Sequence, residues 1–459
     1  MMMKRISLMV LAASAVLSAF AQLGPEITSW LQNTTQTGTY YMEGSSTAIP
    51  DDILVNCQLV QYANDFVYIT ATGIPAYSTG PFLDGNPSEA ENQNKLLKFT
   101  RHPQQNTGTP TPTTLGAIGV FINGVDLFDY RDGTGWNSNT NALCGGPGNP
   151  PCPGGPNAST SWNRDAVISE REGFDCSKAH PAMGDYHHHQ NPSAFKLDLN
   201  VISAICDLYD ADGLYAIDST QHSPLIGFAY DGFPIYGSYG YKNDDGTGGI
   251  VRIKSGYQLR NINMRTTAPD GTDVPDGPPV SATYPLGYFR EDHEFIAHPG
   301  EDDYLDVHNG RFCVTPEYPQ GTYAYFATVD SVWNSAFPYV VGPTFYGVYA
   351  NARVTAIDES TTVYQEPTGI TENSLDAMQL SIFPNPAADM IVVQVGGLLK
   401  DNLHVEVYDA LGKLLDRSVL LKGSTIWHLD TQRLNAGTYF LHFTNGSNSV
   451  VKQVTVARE

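Results

Sequence analysis

Apolar and polar residues alternate in short runs along most of this chain, the pattern of half-buried strands. "VYITATG" alternates from Val67, and "IGVFINGVDLFDY" sets Asn123-Gly124 between two apolar runs. "FAYDGFPIYGSYGY" repeats the device with Asp231-Gly232. Both are hairpin signatures, because Asn-Gly and Asp-Gly accept the positive φ angles of a two-residue turn. Pro234 follows the second turn directly and predicts an edge or irregular strand, since proline brings no N–H to an interior ladder. "GIVRIK", "TYAYFATV" and "FPYVVGPTFYGVYA" are further strand-like runs, rich in the Tyr, Phe and Val that suit a pleated surface. Helical patterns are few. "WNRDAVISEREGF" predicts a short helix behind Ser161 as N-cap, ending near Gly173. "SAFKLDLNVISAICDLYD" fits either a second helix or a strand.

The two ends of the chain read differently. Lys4 and Arg5 precede an apolar run from Ile6 to Phe20, and Ala19-Phe20-Ala21 supplies the small residues of a cleavage site. Residues 1–21 therefore read as a signal peptide cut before Gln22, which places the mature chain outside the cytoplasm. The run is too short to span a bilayer and no later one approaches the necessary length, so no integral membrane segment is expected after processing. Residues 22–360 read as one β-rich body of unresolved topology. Residues 361–378 are polar, contain Pro and Gly and lack a sustained period, as a linker does. From residue 379 onward, alternating runs separated by Asn385-Pro386, Gly412 and Asn435-Ala436-Gly437 predict a small β-sandwich. The expected class is thus mainly β with minor α.

Composition narrows the partners. With 25 basic and 48 acidic residues the formal charge is −23. The tail from residue 379 holds equal numbers of acids and bases, so the excess acid lies upstream. Such a surface disfavours nucleic acid, which needs a basic face to displace its counterions. Six cysteines in an exported chain suggest disulfides. Cys144 and Cys152 bracket "CGGPGNPPC", a loop that a local bridge can close. The absence of any C-x-x-C argues against a thiolate zinc site.

"FPNPAAD", "VEVYDALGKLL", "LNAGTYFLHF" and "VVKQVTV" occur in this order through residues 379–459. Together they resemble the type A C-terminal sorting domain of type IX secretion in Bacteroidetes. The resemblance implies an immunoglobulin-like β-sandwich that engages the type IX secretion machinery. It also implies delivery through the periplasm and outer membrane to the cell surface or medium, and says nothing of the cargo's activity.

The densest chemistry lies in "DCSKAHPAMGDYHHHQNPSAF". On a strand, residues two apart share a face, so His187 and His189 point one way and His188 the other. Two such imidazoles can converge on one metal, with further ligands from elsewhere. The candidates are His180, across a Pro-containing turn; His222, before the Asp231-Gly232 hairpin; and His308, in an acidic stretch. Asp185 is a candidate ligand, a candidate acceptor orienting an imidazole, or a turn residue after Gly184. Copper or zinc suits an imidazole-dominated site, and the sequence does not choose between them. "DADG", "NDDGTGG" and "PDGTDVPDG" offer Asp/Gly loops for calcium, yet none has the spacing of a calcium-binding loop, and tight turns account for them.

The histidine stretch, with "HSPLIGFAYDGFPIYG" (222–237), "LDVHNGRFCVTPEYPQGTYAYF" (305–326) and "FPYVVGPTFYG" (337–347), resembles the YHYH family of bacterial proteins. Tyr186, His187 and His189 match its Tyr-His-Tyr-His motif, and His188 stands where the second Tyr is expected. The resemblance implies a β-rich domain organised around this motif and little more; Tyr186, Asp231 and Tyr236 join Asp185 as candidate supporting or substrate-contacting residues. It names no reaction. Three readings stay open: a histidine-centred metal-binding protein, a secreted hydrolase using the same histidines, and a non-catalytic binding or scaffold module. The last draws on 26 tyrosines, which combine apolar area with a polar tip.

Overall fold

A computed structural model describes residues 23–45, 47–83, 89–146, 148–155, 160–194, 213–365, 380–396, 399, 401–410, 412–445 and 449–458. The signal peptide, residues 366–378 of the expected linker and the 195–210 part of the second helical run lie outside the described residues.

An eight-stranded sheet organises the body. Its strands are β1 (Ala117–Phe121), β2 (Asp126–Phe128), β3 (Ala179–Ala182), β4 (Asp185–His188), β5 (Leu225–Ala229), β6 (Pro234–Tyr236), β7 (Gly310–Cys313) and β8 (Thr322–Phe326). They run in the spatial order β3-β4-β2-β1-β5-β6-β8-β7. The β4–β2 and β6–β8 pairs are parallel and the other neighbours antiparallel. Every residue of β5 is buried, so this strand is covered on both faces and shows no alternation.

Both predicted hairpins form, β1–β2 around Asn123-Gly124 and β5–β6 around Asp231-Gly232. Gly124 has φ +78° and a Cβ there would sit 2.5 Å from that of Ala71, so this turn requires glycine twice over. Pro234 does not lie on an edge, because β6 runs between β5 and β8. It is tolerated as the first residue of its strand, opposite Phe228, and the parallel pairing to β8 begins at Ile235. The expected irregularity is present, as a register shift between Leu225 and Gly227.

A second sheet, containing Cys57–Tyr62, Phe66–Ala71 and Lys95–Thr100, packs on one face of the first. The contact is aromatic: Trp30 lies 5.6 Å from Phe99 and 5.4 Å from Phe228 between ring centroids. Residues 337–350 differ from expectation. They form isolated bridges at Thr344 and Gly347 instead of a strand, and bury Tyr339, Val340, Val341 and Phe345 in the core. Continuous apolarity there marks burial, which an irregular segment satisfies as well as a strand does.

The predicted helix is shorter than its pattern. Ser161 does not cap it. Asn163–Asp165 is a strand, Asp165 is the N-cap, and Ala166–Ser169 is followed by a 3₁₀ turn at Arg171–Gly173. The Asp165 carboxylate accepts from the Val167 N–H at 2.9 Å, satisfying a helix-end donor.

The tail forms the expected sandwich. One sheet holds Ser381–Phe383, Met390–Gln394 and Ile426–Asp430; the other holds Leu403–Asp409, Leu414–Leu420, Gly437–Thr444 and Ser449–Val456. Its buried residues, among them Ile391, Val405, Leu441 and Val454, form a core that shares no residue with that of the body. Cys144 and Cys152 are joined by a disulfide, and Cys176 is disulfide-bonded as well.

Candidate metal centre

The β3–β4 hairpin turns through Met183 (φ 51°) and Gly184 (φ 81°). Positive φ at both central positions matches the twist of a tight hairpin and fixes its register. In that register His180 lies directly opposite His187. Residues facing each other across an antiparallel ladder project to the same side, so the turn brings in a third imidazole that sequence spacing leaves undecided.

His180, His187 and His189 are all buried, and one ring nitrogen from each lies within 4.8 Å of the others. The Nε2 atoms of His187 and His189 are 3.1 Å apart. The far side of each ring is held by main chain: His187 Nδ1 donates to the Asp185 carbonyl at 2.8 Å, and His189 Nδ1 to the Asp129 carbonyl at 2.7 Å. A carbonyl only accepts, so both Nδ1 atoms carry the proton, and in the neutral rings both Nε2 atoms turn lone pairs inward. Phe128 stacks on His187 with centroids 3.8 Å apart, and Phe174 meets the His180 ring edge-on at 5.0 Å.

Glu170, the residue that ends the short helix, adds an oxygen. Its Oε2 lies 3.3 Å from His180 Nε2 and 3.3 Å from His189 Nε2. Burial pushes this carboxyl up, but hydrogen bonds and positive charge from His180 and His189, when those rings are protonated, outweigh burial and bring it down to about 2. Burial, then the neighbouring His189 and His180, hold His187 well below the ordinary imidazole range. Glu170 had no signal in the sequence: Glu170-Arg171-Glu172 reads as the solvated side of a helix.

His188 faces the opposite way, as alternation predicts. It is fully buried against the edge of Phe121, with its Nε2 2.8 Å from the Tyr77 hydroxyl and its Nδ1 3.2 Å from the Lys178 carbonyl. Burial lowers it to about 3.

The remaining candidates lie apart from the trio. His222 packs between the rings of Tyr236 and Tyr241, donating from Nδ1 to the Ser223 carbonyl at 2.8 Å. His308 pairs with Thr344 Oγ1 at 2.7 Å. His222 precedes β5, which two strands separate from β4, and His308 precedes β7 at the opposite edge of the sheet. Asp185 contributes its carbonyl, while its carboxylate joins Lys95 at 3.0 Å and Arg353 at 2.6 Å. Both cations also hold the buried Asp126, so four charges alternate in a ring beneath β2 and β4. The Tyr186 hydroxyl donates to Asp175 at 2.8 Å. Asp231 accepts from Tyr325 at 2.6 Å, and Tyr236 donates to Glu317 at 2.8 Å. Asp245 and Asp270 of the Asp/Gly loops accept from Thr247 and Thr272 of their own turns, and Asp210 and Asp212 lie outside the described residues. Among the described residues, the group placed to hold a metal is His180, His187 and His189.

Compared with known families, residues 96–338 match the model of the YHYH protein family, and residues 381–457 match that of the secretion system C-terminal sorting domain. No curated protein matches the chain.

Proposed function

Because this chain belongs to the YHYH protein family and is an exported protein with a type IX sorting tail, we propose that its body binds a transition-metal ion through His180, His187 and His189. The observation that carries the reading is the pair of Nε2 lone pairs facing each other at 3.1 Å, beside a carboxylate oxygen. Acceptors gathered this closely repel one another unless a cation lies between them. A proton on His187 meets that need poorly, since burial and the neighbouring His189 and His180 oppose charging that ring. A divalent ion meets it with bonds of about 2.0–2.1 Å to each imidazole. The carbonyls of Asp185 and Asp129 set the ring tautomers, the supporting role that fixes ligand orientation in metal sites. Zinc and copper both suit imidazole donors.

Elemental analysis of the purified exported protein tests this. About one equivalent of zinc or copper per chain is expected, and the His187→Ala/His189→Ala double variant retains none. Equal metal content in both proteins, or none in the wild type, contradicts the reading.

A further inference from the structure

We propose that Glu170 is the fourth ligand of this centre, its Oε2 closing a tetrahedral cage with the Nε2 atoms of His180, His187 and His189. The inference rests on the metal-binding reading above and deepens it. Four donors at about 2.0–2.1 Å from a tetrahedral ion stand about 3.3–3.4 Å from one another. Oε2 lies 3.3 Å from His180 Nε2 and 3.3 Å from His189 Nε2, and His187 and His189 are 3.1 Å apart. Two edges of the cage therefore already have that length and a third is slightly shorter, while the three imidazole nitrogens lie within 4.8 Å of one another and close in around the ion.

A second observation points the same way. Glu170 Oε2 is sealed from solvent and faces the His180 and His189 Nε2 atoms at 3.3 Å without well-formed hydrogen-bond geometry, an arrangement that a shared cation satisfies. Its position is also built. Asp165 caps the helix that ends at Glu170, and Ser169 at that end donates to Asp132 at 2.9 Å. Charge supports the same assignment: a carboxylate beside three neutral imidazoles leaves a buried divalent ion with one net positive charge instead of two.

Two consequences follow for the chemistry. Four-coordinate oxygen-and-imidazole ligation suits zinc, which has no geometric preference against a tetrahedron, better than Cu(II), which favours tetragonal sites. The cage also leaves no position for an activated water, so the ion serves the fold, and hydrolysis at this site requires Glu170 to leave.

The test uses metal-free exported protein titrated with zinc against a chromophoric chelator, and with cobalt followed by visible absorption. Wild type is expected to take one cobalt with the intense absorption of a four-coordinate ion. Glu170→Ala and the near-isosteric Glu170→Gln are expected to bind zinc roughly tenfold or more weakly. Their cobalt band becomes weaker and pH-dependent around neutrality, as water fills the vacated position with a pKa of about 7. Wild-type affinity and spectrum in both Glu170 variants, with binding lost in His187→Ala/His189→Ala, overturns the Glu170 assignment and leaves the histidine site standing. A weak cobalt band in the wild type also overturns the fourth ligand. Absence of any bound metal in the wild type overturns both proposals.

Discussion

At the scale of single residues, three adjacent histidines divide into two environments. His187 and His189 turn lone pairs toward a shared point, and His188 fills the opposite face as a hydrogen-bonded core residue. His188→Ala is expected to leave metal content unchanged while lowering unfolding free energy by about 2–4 kcal/mol. That range combines a buried cavity with the loss of the Tyr77 and Lys178 partners. Urea unfolding beside elemental analysis checks it, and loss of metal in this variant contradicts the division of roles. The charged ring makes a parallel case. Lys95 is fully buried between Asp126 and Asp185, so Lys95→Met leaves two carboxylates with Arg353 alone. A loss of about 3–5 kcal/mol is expected in the same assay. The same pairing engages the Asp185 carboxylate with two cations, while its carbonyl accepts from His187 Nδ1.

At the scale of elements, the site is a tight hairpin facing the end of a four-residue helix. Asp165 holds that helix in place and also accepts from the Tyr339 hydroxyl at 2.8 Å. Burial raises its pKa from 3.8 to about 8. A carboxyl that binds its proton more tightly in the folded state contributes stability that is complete below pH 4 and is lost as pH rises toward 8. Asp165→Asn keeps the cap acceptor but cannot titrate. Its unfolding free energy is expected to fall less between pH 5 and 8 than that of the wild type, by at most about 1.4 kcal/mol per pH unit. Identical slopes in urea unfolding across that range contradict the assignment. The helix itself was legible in "WNRDAVISEREGF", but its start was not. Ser161 and Asp165 are both competent caps, and the Asn163–Asp165 strand pairing decided between them.

At the scale of the whole molecule, the body and the sorting tail have separate apolar cores. Removal of residues 381–459 is expected to abolish surface delivery while leaving metal stoichiometry unchanged, because every residue of the candidate centre belongs to the body. Cell fractionation and elemental analysis of the truncated protein check the two halves separately. A truncated chain without metal would show that the tail supports the body.

Short stretches of the chain suffice for the β-rich class, both hairpin turns, the sorting tail, the Cys144–Cys152 bridge and the split of the histidine run into His187 with His189 against His188. Each of these follows from local chemistry: alternation, turn propensity or short loop closure. What meets the histidine pair depends on the pairing of separate segments of the chain. Alternation says which face a residue occupies, but not which residue lies opposite it. Strand register admitted His180, the end of a short helix admitted Glu170, and the order of strands in the sheet set His222 and His308 apart. A metal site is a set of distances through space, and pairing between segments fixes those distances.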